Sequence, residues 1–510
     1  MVGDCRHHFP ATCKGRASLG TGHGHDCVKG SKMSEEGNVS RRGFLKIAGI
    51  AGATIGVAGG LGGLVAACGG TDETTTTAGP ATTAGTTATT VAATETTVAA
   101  AVETGREIQI GAVVPKTGPL AAFAGPFDWV NDQWSKALAD GVVCGDGKKH
   151  PIKVLVQDTQ SDTNRCAQVT GDLIQNDKVD VIFAGGAPDT MNPAADTCEA
   201  LASPGLMIQG PWQAFFMGRG GSDTKSFKWG YALTVGVEAM VGCYIDMWSK
   251  IATNKKAGLL YSNSSDGQAW SDAKTGGPFY FKQAGYAYTM PGLFQPGAED
   301  YTQQVSEFKK FGAEICSGAL TSGDFTNFWK EAIQQGYNPK ICTIGQALNF
   351  AETANAIGPT VVGLTTEISW HPDYPYTSSL TGQTCTEFAN AYESDTGKQW
   401  SAELIVYSLM EWCVAGLKNL TNIDDKEAMM KAIVDAKVQT IYGPVDFSLP
   451  VDPTAQDAVT HPVPNCLRMP TAGGQWLKGT KKWTYEKFLV SNKYVPDAKV
   501  TTDVQEIKYS

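Results

Sequence analysis

Short apolar strands alternate with amphipathic helices through most of this chain, and that alternation constrains its fold more than any other feature. Residues 107–114 have the pattern of a buried strand, and residues 126–140 have that of a helix with Val130 and Trp134 on one face. Further strands are predicted at 152–157, 179–184, 206–209, 257–262, 286–290, 313–319, 341–344 and 361–368. Further helices are predicted at 164–175, 193–202, 236–252, 268–283, 299–311, 324–335, 384–395, 401–419 and 425–436. Because repeated β-then-α order produces parallel sheets covered by helices on both faces, the predicted fold class is α/β with doubly wound parallel sheets.

The length of this α/β body predicts two lobes, since roughly 405 residues exceed what one hydrophobic core usually holds. In open parallel sheets, ligands bind beyond the carboxyl ends of the strands, so the loops that follow strands are the candidate binding segments. These loops are 115–125, 185–192, 210–216, 262–270, 319–324 and 345–350. Several are rich in glycine, proline and aromatic residues and poor in titratable groups, which favours a small, partly apolar ligand.

Charge and motif content argue against several functional classes. The formal net charge is -10, whereas a nucleic-acid-binding surface needs clustered Lys and Arg. The body contains only His150, His371 and His461, and it lacks the Gly-x-Ser-x-Gly, His-Glu-x-x-His and phosphate-loop motifs. We therefore expect no enzyme, no metal site, no cofactor and no nucleic-acid partner.

The first 67 residues have the composition of an export leader. They hold eight Lys/Arg and four Asp/Glu, so removing their +4 from the total of -10 leaves -14 for the rest of the chain. Arg41 and Arg42 precede an uncharged, glycine-rich stretch at 47–67, which is typical of a twin-arginine export signal. Residues 64–69, Leu-Val-Ala-Ala-Cys-Gly, resemble a bacterial lipobox, which implies cleavage before Cys68 and a diacylglycerol on its sulfur. An uncleaved anchor helix is the alternative interpretation.

Residues 1–32 contain Cys5, Cys13 and Cys27 together with four histidines, which are zinc-ligand types, but their spacing matches no known zinc finger. A start at Met33 would place the arginine pair where such a signal begins. We therefore interpret residues 1–32 as an upstream mis-start of the reading frame.

Residues 68–105 are expected to form a lipidated cysteine and a flexible stalk. Positions 71–104 contain 15 Thr and nine Ala among 34 residues, with no aromatic side chain. Such a tract cannot bury enough apolar surface to offset its ordering entropy. The stalk would let the body stand away from the membrane.

Seven segments of the body occur in a distinctive order. They are IQIGAVVP at 108–115, KTGPLAAF at 116–123, NPAAD at 192–196, PGLMI at 204–208, SSDGQ at 264–268, IQQGY at 333–337 and IYGPV at 441–445. Together with the lipobox, this series resembles the type I periplasmic binding proteins, the substrate-binding proteins of ABC importers in the branched-chain amino acid (Leu/Ile/Val-binding) group. The resemblance covers residues 106–510.

The resemblance implies two α/β lobes that are joined by three chain crossings and close on a ligand like a hinged trap. It places the N-terminal lobe at 106–233 and 363–470, and the C-terminal lobe at 234–362 and 471–510. An ABC transporter permease would then recognise the closed shape. A ligand-sensing protein that serves a signalling receptor is the alternative, because the same fold would suit it.

The resemblance also assigns candidate ligand contacts to three loops of the N-terminal lobe. They are Thr117, Gly118, Pro119, Leu120, Phe123, Pro188, Asp189, Thr190, Pro211, Trp212 and Gln213. The 188–190 loop usually offers a hydroxyl to a ligand carboxylate, and here Thr190 is the available hydroxyl, whereas Asp189 would attract a cation. Trp212 is a candidate ligand wall. Ordinary turn or core packing is the alternative at each position.

The candidates from the C-terminal lobe are Asp266, Gln268, Thr321 and Gln346, and Trp370 follows the return crossing. Related amino-acid binders hold the α-ammonium with a carboxylate near position 346. Because an unpaired ammonium is costly to bury, Gln346 argues against a conventionally held amino acid. The ligand class therefore stays open among an amino acid, an amide and a small organic acid.

Nine cysteines follow Cys68, and an oxidising exterior permits disulfides. Cys166 and Cys198, on successive predicted helices, are the candidate pair. Cys316 and Cys342 lie on predicted neighbouring strands and are interpreted as buried thiols. An odd number leaves at least one cysteine without a partner in the same chain.

Overall fold

Two seven-stranded sheets organise the computed structural model, which describes residues 102–222, 224–452 and 462–509. The strands are β1 Ile108–Val114, β2 Val142–Val143, β3 Lys149–His150, β4 Ile152–Asp158, β5 Val181–Ala184, β6 Gly205–Pro211, β7 Gly230–Val235, β8 Lys256–Tyr261, β9 Ala287–Thr289, β10 Ile315–Leu320, β11 Ile341–Gln346, β12 Thr365–Ile368, β13 Lys437–Thr440, β14 Gly443–Asp446, β15 Pro462–Val463, β16 Cys466–Arg468, β17 Ala472–Lys478 and β18 Tyr485–Ser491. The α-helices are α1 Phe127–Ala137, α2 Thr163–Gln175, α3 Pro188–Leu201, α4 Val237–Ser249, α5 Ser265–Ser271, α6 Gly277–Gln283, α7 Thr302–Phe311, α8 Ser322–Gln334, α9 Ala351–Ile357, α10 Cys385–Thr396, α11 Tyr407–Leu417 and α12 Lys426–Val434. The predicted leader, Cys68, most of the stalk and His461 lie outside the described residues.

The first sheet has the strand order β15-β16-β7-β6-β5-β1-β4. Its central strands β1, β5 and β6 pair in parallel and are almost continuously apolar, because helices cover both of their faces. Only the short edge strand β15 pairs antiparallel within the sheet. We call this sheet, with the helices that pack on it, the first lobe.

The second sheet has the order β18-β17-β12-β11-β10-β8-β9, and its parallel centre ends in the antiparallel strands β17 and β18. We call it, with its helices, the second lobe. Thr365–Ile368 pairs with β11 and β17 in this sheet, although the sequence placed everything from residue 363 to 470 in the first lobe. The predicted boundary between the lobes lies before the strand Thr365–Ile368, whereas the structure places it after that strand. The periodicity of a short buried strand does not reveal which of two parallel sheets it joins.

The chain passes between the two sheets three times, after β7, after β12 and after β16. After β12 it supplies α10, α11 and α12, whose buried side chains join the core of the first lobe. The second sheet has a separate apolar core on each face. The fold is therefore the expected α/β architecture of two doubly wound lobes with three crossings. In the described ranges every helix is too short or too polar to span a bilayer.

Two helices differ from their predicted extents. The helix expected at 193–202 begins at Pro188, which occupies its first turn, while Pro193 lies inside it. Because proline is most favourable in the first turn of a helix, the sequence favours a start at Pro193, the later of the two prolines. The helix expected at 268–283 is two helices, and the second begins with Gly277 and Pro278.

The predicted Cys166–Cys198 disulfide is absent, because the nine cysteines within the described residues are free thiols and all are buried. The Cys166 thiol donates a hydrogen bond to the Thr190 carbonyl at 2.8 Å. Burial raises the pKa of the Cys166 thiol to about 12, so this sulfur is held as an unreactive thiol. Cys316 and Cys342 are cross-strand neighbours in β10 and β11, as their strand assignment predicted.

Candidate functional site

A cavity of about 60 Å³ lies between the two lobes at the carboxyl ends of their strands. From the first lobe it is lined by Phe123, Gly186, Ala187, Pro188, Gln209, Gly210, Pro211, Glu403, Ile405 and Tyr442, and Val235 ends β7 beside it. From the second lobe it is lined by Met240, Asp266, Trp270, Gln346, Asn349, Glu367 and Ser369. Five of the six loops chosen from the sequence reach this cavity, and the loop at 319–324 does not.

The backbone at both rims adopts unusual conformations. Gln209 has φ 79° at the bulge where β6 meets the cavity, and Gln346 has φ 60° at the end of β11. Such conformations cost a non-glycine residue on the order of 1–3 kcal/mol and cluster at ligand sites. Gly186 has φ 109°, and its N–H donates to the Gln209 side-chain carbonyl, which ties the β5 and β6 loops together.

Glu367 is a buried carboxylate on β12 that the second lobe holds in a fixed orientation. It accepts hydrogen bonds from the Tyr244 hydroxyl, from the Asn349 side-chain amide at 3.1 Å and from the Gln346 backbone N–H at 3.4 Å. Gly345 leaves room for it, since a Cβ there would lie 3.1 Å from the Glu367 carboxylate. The residue therefore brings a negative charge to the cavity wall with its hydrogen bonds already made.

Asp266 is the second acid of the cavity and lies in the first turn of α5. Burial, together with the smaller effect of the nearby Asp189 carboxylate, raises the pKa of Asp266 to about 7. The Gln346 side-chain amide donates a hydrogen bond to Asp266 and opposes this rise. Within the described part of the chain, the groups that shift this pKa are the Asp189 and Glu367 carboxylates and the Gln346 amide, and no cation is among them.

Glu403 is the third acid and enters the cavity from the first lobe. Burial raises the pKa of Glu403 to about 8, although Lys487 lowers it. Its Oε2 atom is buried and has no hydrogen-bond partner among the described residues. Burial in turn lowers the pKa of Lys487 to about 8, and the Lys487 ammonium donates to the Asn349 carbonyl at 2.9 Å.

Contacts such as those of Asp189 and Phe123 join the lobes across the cleft, so the structure represents a closed conformation. Asp189, in the first turn of α3, accepts hydrogen bonds from Ser265 of α5, at 3.2 Å from its N–H and 2.9 Å from its hydroxyl. Phe123 packs edge-on against Phe350 with ring centroids 5.1 Å apart. Both contacts break if the lobes separate.

Five of the residues selected from the sequence line the cavity, namely Phe123, Pro188, Pro211, Asp266 and Gln346. Asp189 lies at the cleft edge in the cross-lobe contact. The loop around Gly118 instead packs against β4, where the Thr117 hydroxyl donates to Asp158 at 2.7 Å and the Leu120 N–H donates to Ser161 at 3.0 Å. Pro119, in the same turn, does not line the cavity.

The remaining candidates have structural partners away from the cavity. Trp212 and Gln213 are buried and donate to the Glu238 carboxylate at 3.0 Å and 2.6 Å. The Thr190 hydroxyl donates to the carbonyls of its own loop. Three further residues serve local structure: Gln268 donates to Asn263, Thr321 caps α8, and Trp370 is fully buried and donates to the Ile441 carbonyl at 2.9 Å.

Sequence reasoning missed Gln209, Asn349, Glu367, Glu403 and Tyr442. Two of them carried a signal, because Glu367 and Glu403 are single acids within apolar segments. A buried acid needs a partner or a function, so a lone Glu in such a segment is a site candidate. Gln209 and Asn349 carried no comparable pattern.

Comparison with known proteins agrees with this geometry. A family model described as periplasmic binding protein matches residues 107–463. A leucine binding protein from Thermotoga maritima has a TM-score of 0.60 and 16% identity, over 76% of this chain and 99% of that one. A Rhodopseudomonas palustris ABC-transporter solute binding protein in complex with 3,4-dihydroxybenzoic acid has a TM-score of 0.58 and 18% identity, over 78% and 99%. A branched-chain amino acid transporter substrate binding protein from Streptococcus pneumoniae in complex with isoleucine has a TM-score of 0.56 and 15% identity, over 75% and 99%. With two lobes, three crossings and an interlobe cavity, the chain belongs to the periplasmic binding protein family and has its type I fold.

Proposed function

We propose that this protein is an extracytoplasmic solute-binding lipoprotein, which captures a small molecule between its lobes and delivers it to an ABC importer without chemical turnover. The cavity between the lobes carries the proposal, because both lobes supply polar groups to it. A ligand in that position contacts both lobes only when they are closed. It therefore binds the closed state better and shifts the population by that difference in affinity.

The delivery step follows from the same coupling. A permease that recognises the relative position of the two lobes would engage the loaded, closed form in preference to the open one. The contacts of Asp189 with Ser265 and of Phe123 with Phe350 exist only in the closed form. These contacts contribute part of the free energy that stabilises the closed form.

The proposed anchor is a diacylglycerol on Cys68, after export through the signal that contains Arg41 and Arg42. Two acyl chains are enough for stable membrane attachment. The Thr/Ala-rich tract at 71–104 would then separate the binding body from the bilayer surface, so that it reaches a membrane-embedded permease.

Proteins of this fold accept chemically different ligands. The structural neighbours include a leucine binding protein, one with bound isoleucine and one with bound 3,4-dihydroxybenzoic acid. Our ligand class is accordingly a small organic molecule, with amino acids, amides and small organic acids as the starting set for a screen.

The test is a thermal-shift screen of the purified protein against small metabolites, followed by small-angle scattering with each hit. A ligand at about 100 times its Kd should add about 2.7 kcal/mol of stability. The hits should also reduce the radius of gyration and be recovered chemically unchanged. A metabolite that is converted, or hits that leave the lobes open, would contradict the proposal.

A matched pair of variants ties the shift to the cavity. Ser369 lines the cavity and is partly buried, whereas Ser306 is exposed on α7. Ser369→Trp should fill the cavity and abolish the ligand-induced shift. Ser306→Trp should keep it.

A further inference from the structure

The wall of the interlobe cavity carries more acidic than basic side chains. Asp266, Glu367 and Glu403 line it, and their residues are only 4%, 6% and 3% exposed. Among the described residues, Lys487 is a cation that interacts electrostatically with Glu403 and Glu367. Its ammonium already donates a hydrogen bond to a backbone carbonyl. Buried carboxylates without equal counter-charge are costly, unless a bound group supplies that charge.

The unfilled hydrogen-bonding atoms of the cavity are mainly acceptors. In the part of the chain that the structure describes, Glu403 Oε2 and Asn349 Oδ1 are buried acceptors without a partner, and Gln209 Nε2 is the corresponding unfilled donor. All three residues line the cavity. A ligand that satisfies the two oxygens must bring at least two donors, and an acceptor on the same ligand would satisfy Gln209.

Three first-lobe donors that could hold a ligand carboxylate are engaged within the protein, whereas the Gln209 side-chain N–H has no partner among the described residues. The Gly186 N–H donates to Gln209, and the Thr190 hydroxyl donates to the Gly185 carbonyl at 3.1 Å. The Trp212 indole N–H donates to Glu238. Pro188 and Pro211, at the ends of the two loops, have no N–H to offer.

The cavity is also small, because about 60 Å³ is well below the roughly 150 Å³ of a protein cavity that binds benzene. Trp270, Phe123 and Tyr442 contribute aromatic surface to it. Aromatic faces attract cations, and this attraction strengthens when the site is desolvated.

We infer that the ligand is a small organic cation with N–H donors, of the amidinium, guanidinium or ammonium class, and without a carboxylate. The inference rests on the proposed solute-binding function and names the ligand class of the same cavity. The cation supplies a counter-charge to Asp266 and adds to that of Lys487 at Glu403, and its N–H groups satisfy Glu403 and Asn349.

Binding of such a cation should displace protons. Burial raises the pKa of Asp266 to about 7 and, against the opposing effect of the Lys487 ammonium, that of Glu403 to about 8, and the cation favours their ionised forms. Affinity should therefore rise with pH through this range and level off above about pH 8. The titratable groups that act on these two acids or are acted on by them are Asp189, Tyr261, Glu367, Tyr442 and Lys487. Loss of the Lys487 proton near pH 8 acts in the same direction.

The experiment is isothermal titration calorimetry of the purified protein with acetamidinium, acetamide and acetate, which share one planar shape and differ in charge. Benzamidinium, benzamide and benzoate form a second, larger series. We expect the cation of at least one series to bind at least tenfold more tightly than its neutral and anionic analogues. Its affinity should increase from pH 6 to pH 8.

Three variants distinguish the effect of acids in the cavity from that of an acid elsewhere on the protein. Asp266→Asn and Glu403→Gln should each weaken cation binding at least tenfold and remove the preference over the amide. Glu299→Gln removes one exposed acid outside the cavity and should leave the affinity within twofold.

Preference for acetate, benzoate or either amide would overturn the cation assignment and leave the solute-binding function standing. Absence of binding by both cations would also overturn it. The proposed function itself fails if the hits of the broader screen are converted or leave the lobes open, so the two failures are distinguishable.

Discussion

At the scale of single residues, Glu403 shows how a ligand site differs from a finished core. A core acid is normally satisfied, as Glu411 is by the N–H groups of Ser379 at 2.7 Å and Ile441 at 2.8 Å. Glu403 instead keeps a buried oxygen without a partner. Folded structure tolerates such an atom where a ligand completes it.

The first prediction concerns stability and pH in the absence of ligand. Burial raises the pKa of Glu403 from 4.5 to about 8, so its contribution to stability is complete below about pH 4.5 and is lost as pH rises to 8. His371, whose pKa burial lowers from 6.5 to about 4, contributes no slope above pH 6.5. Between pH 6.5 and 8 the protein should therefore lose stability, with a slope of up to about 1.4 kcal/mol per pH unit from Glu403.

Glu403→Gln should flatten that slope, whereas the exposed Glu299→Gln should not. Urea denaturation at pH 6.5, 7.25 and 8 measures it. Equal slopes in the wild type and in Glu403→Gln would show that Glu403 ionises freely in the folded protein.

The second prediction concerns Trp212, which the sequence indicated as a ligand wall. Its indole N–H donates to the buried Glu238 carboxylate, so Trp212→Phe removes one hydrogen bond to a charged group. The expected cost is about 1–3 kcal/mol in the free energy of unfolding, with ligand affinity changed less than threefold. Chemical denaturation and calorimetry measure the two effects.

Trp483→Phe is the matched control, because Trp483 makes the same kind of bond to Glu393 at 2.8 Å but is only partly buried. It should cost less than about 1 kcal/mol, as screened surface bonds do. A large loss of ligand affinity in Trp212→Phe without loss of stability would show instead that Trp212 belongs to the binding site.

At the scale of elements, the contact between α3 and α5 links closure to ligand binding. The Ser265 hydroxyl donates to Asp189 at 2.9 Å across the cleft. Ser265→Ala removes a contact that only the closed form makes, so ligand affinity should fall about threefold to tenfold. The stability of the ligand-free protein should change little, and calorimetry with any hit from the screen measures the affinity.

Ser271→Ala, on the same helix, is the control, because its hydroxyl bonds to the Gln268 carbonyl within α5. It should leave affinity within twofold. Equal effects from both variants would mean that α5 itself, and not the cross-lobe contact, sets the affinity.

The element scale also shows what the sequence could and could not predict. Strands such as β1 and β5 were predictable because both their faces are buried, which produces continuous apolar runs. The antiparallel strands β17 and β18 were not predicted. Glycines in β17 and charged or polar residues in both strands interrupt the apolar pattern, which weakens the strand signal there. Phe123 and Asp266 were predicted at the cavity because the strand-end rule selects their loops and the family resemblance selects these residues within them. The direction of a loop side chain depends on tertiary partners, and that is why Trp212 and Thr190 point elsewhere.

At the scale of the whole molecule, the interlobe cavity is built from parts that are far apart in the chain. Phe123 and Glu403 reach it from one lobe, and Asp266 and Glu367 reach it from the other. Three crossings bring these segments together and allow the lobes to move as units. The acids that face each other across the cavity could be recognised only after the strand β12 was placed in the second sheet.

The last prediction concerns the attachment of the whole molecule to a membrane. If Cys68 carries the diacylglycerol, Cys68→Ala should move the protein from the membrane fraction to the soluble fraction of cells that export it, because the acyl chains supply the attachment. Cys144→Ala, which changes a buried thiol of the body, should leave the protein in the membrane fraction. Replacement of Arg41 and Arg42 by Lys should block export and retain the precursor inside the cell, as expected for a twin-arginine signal. Immunoblots of fractionated cells distinguish these outcomes, and a Cys68→Ala protein that stays in the membrane would instead identify residues 47–67 as an uncleaved anchor helix.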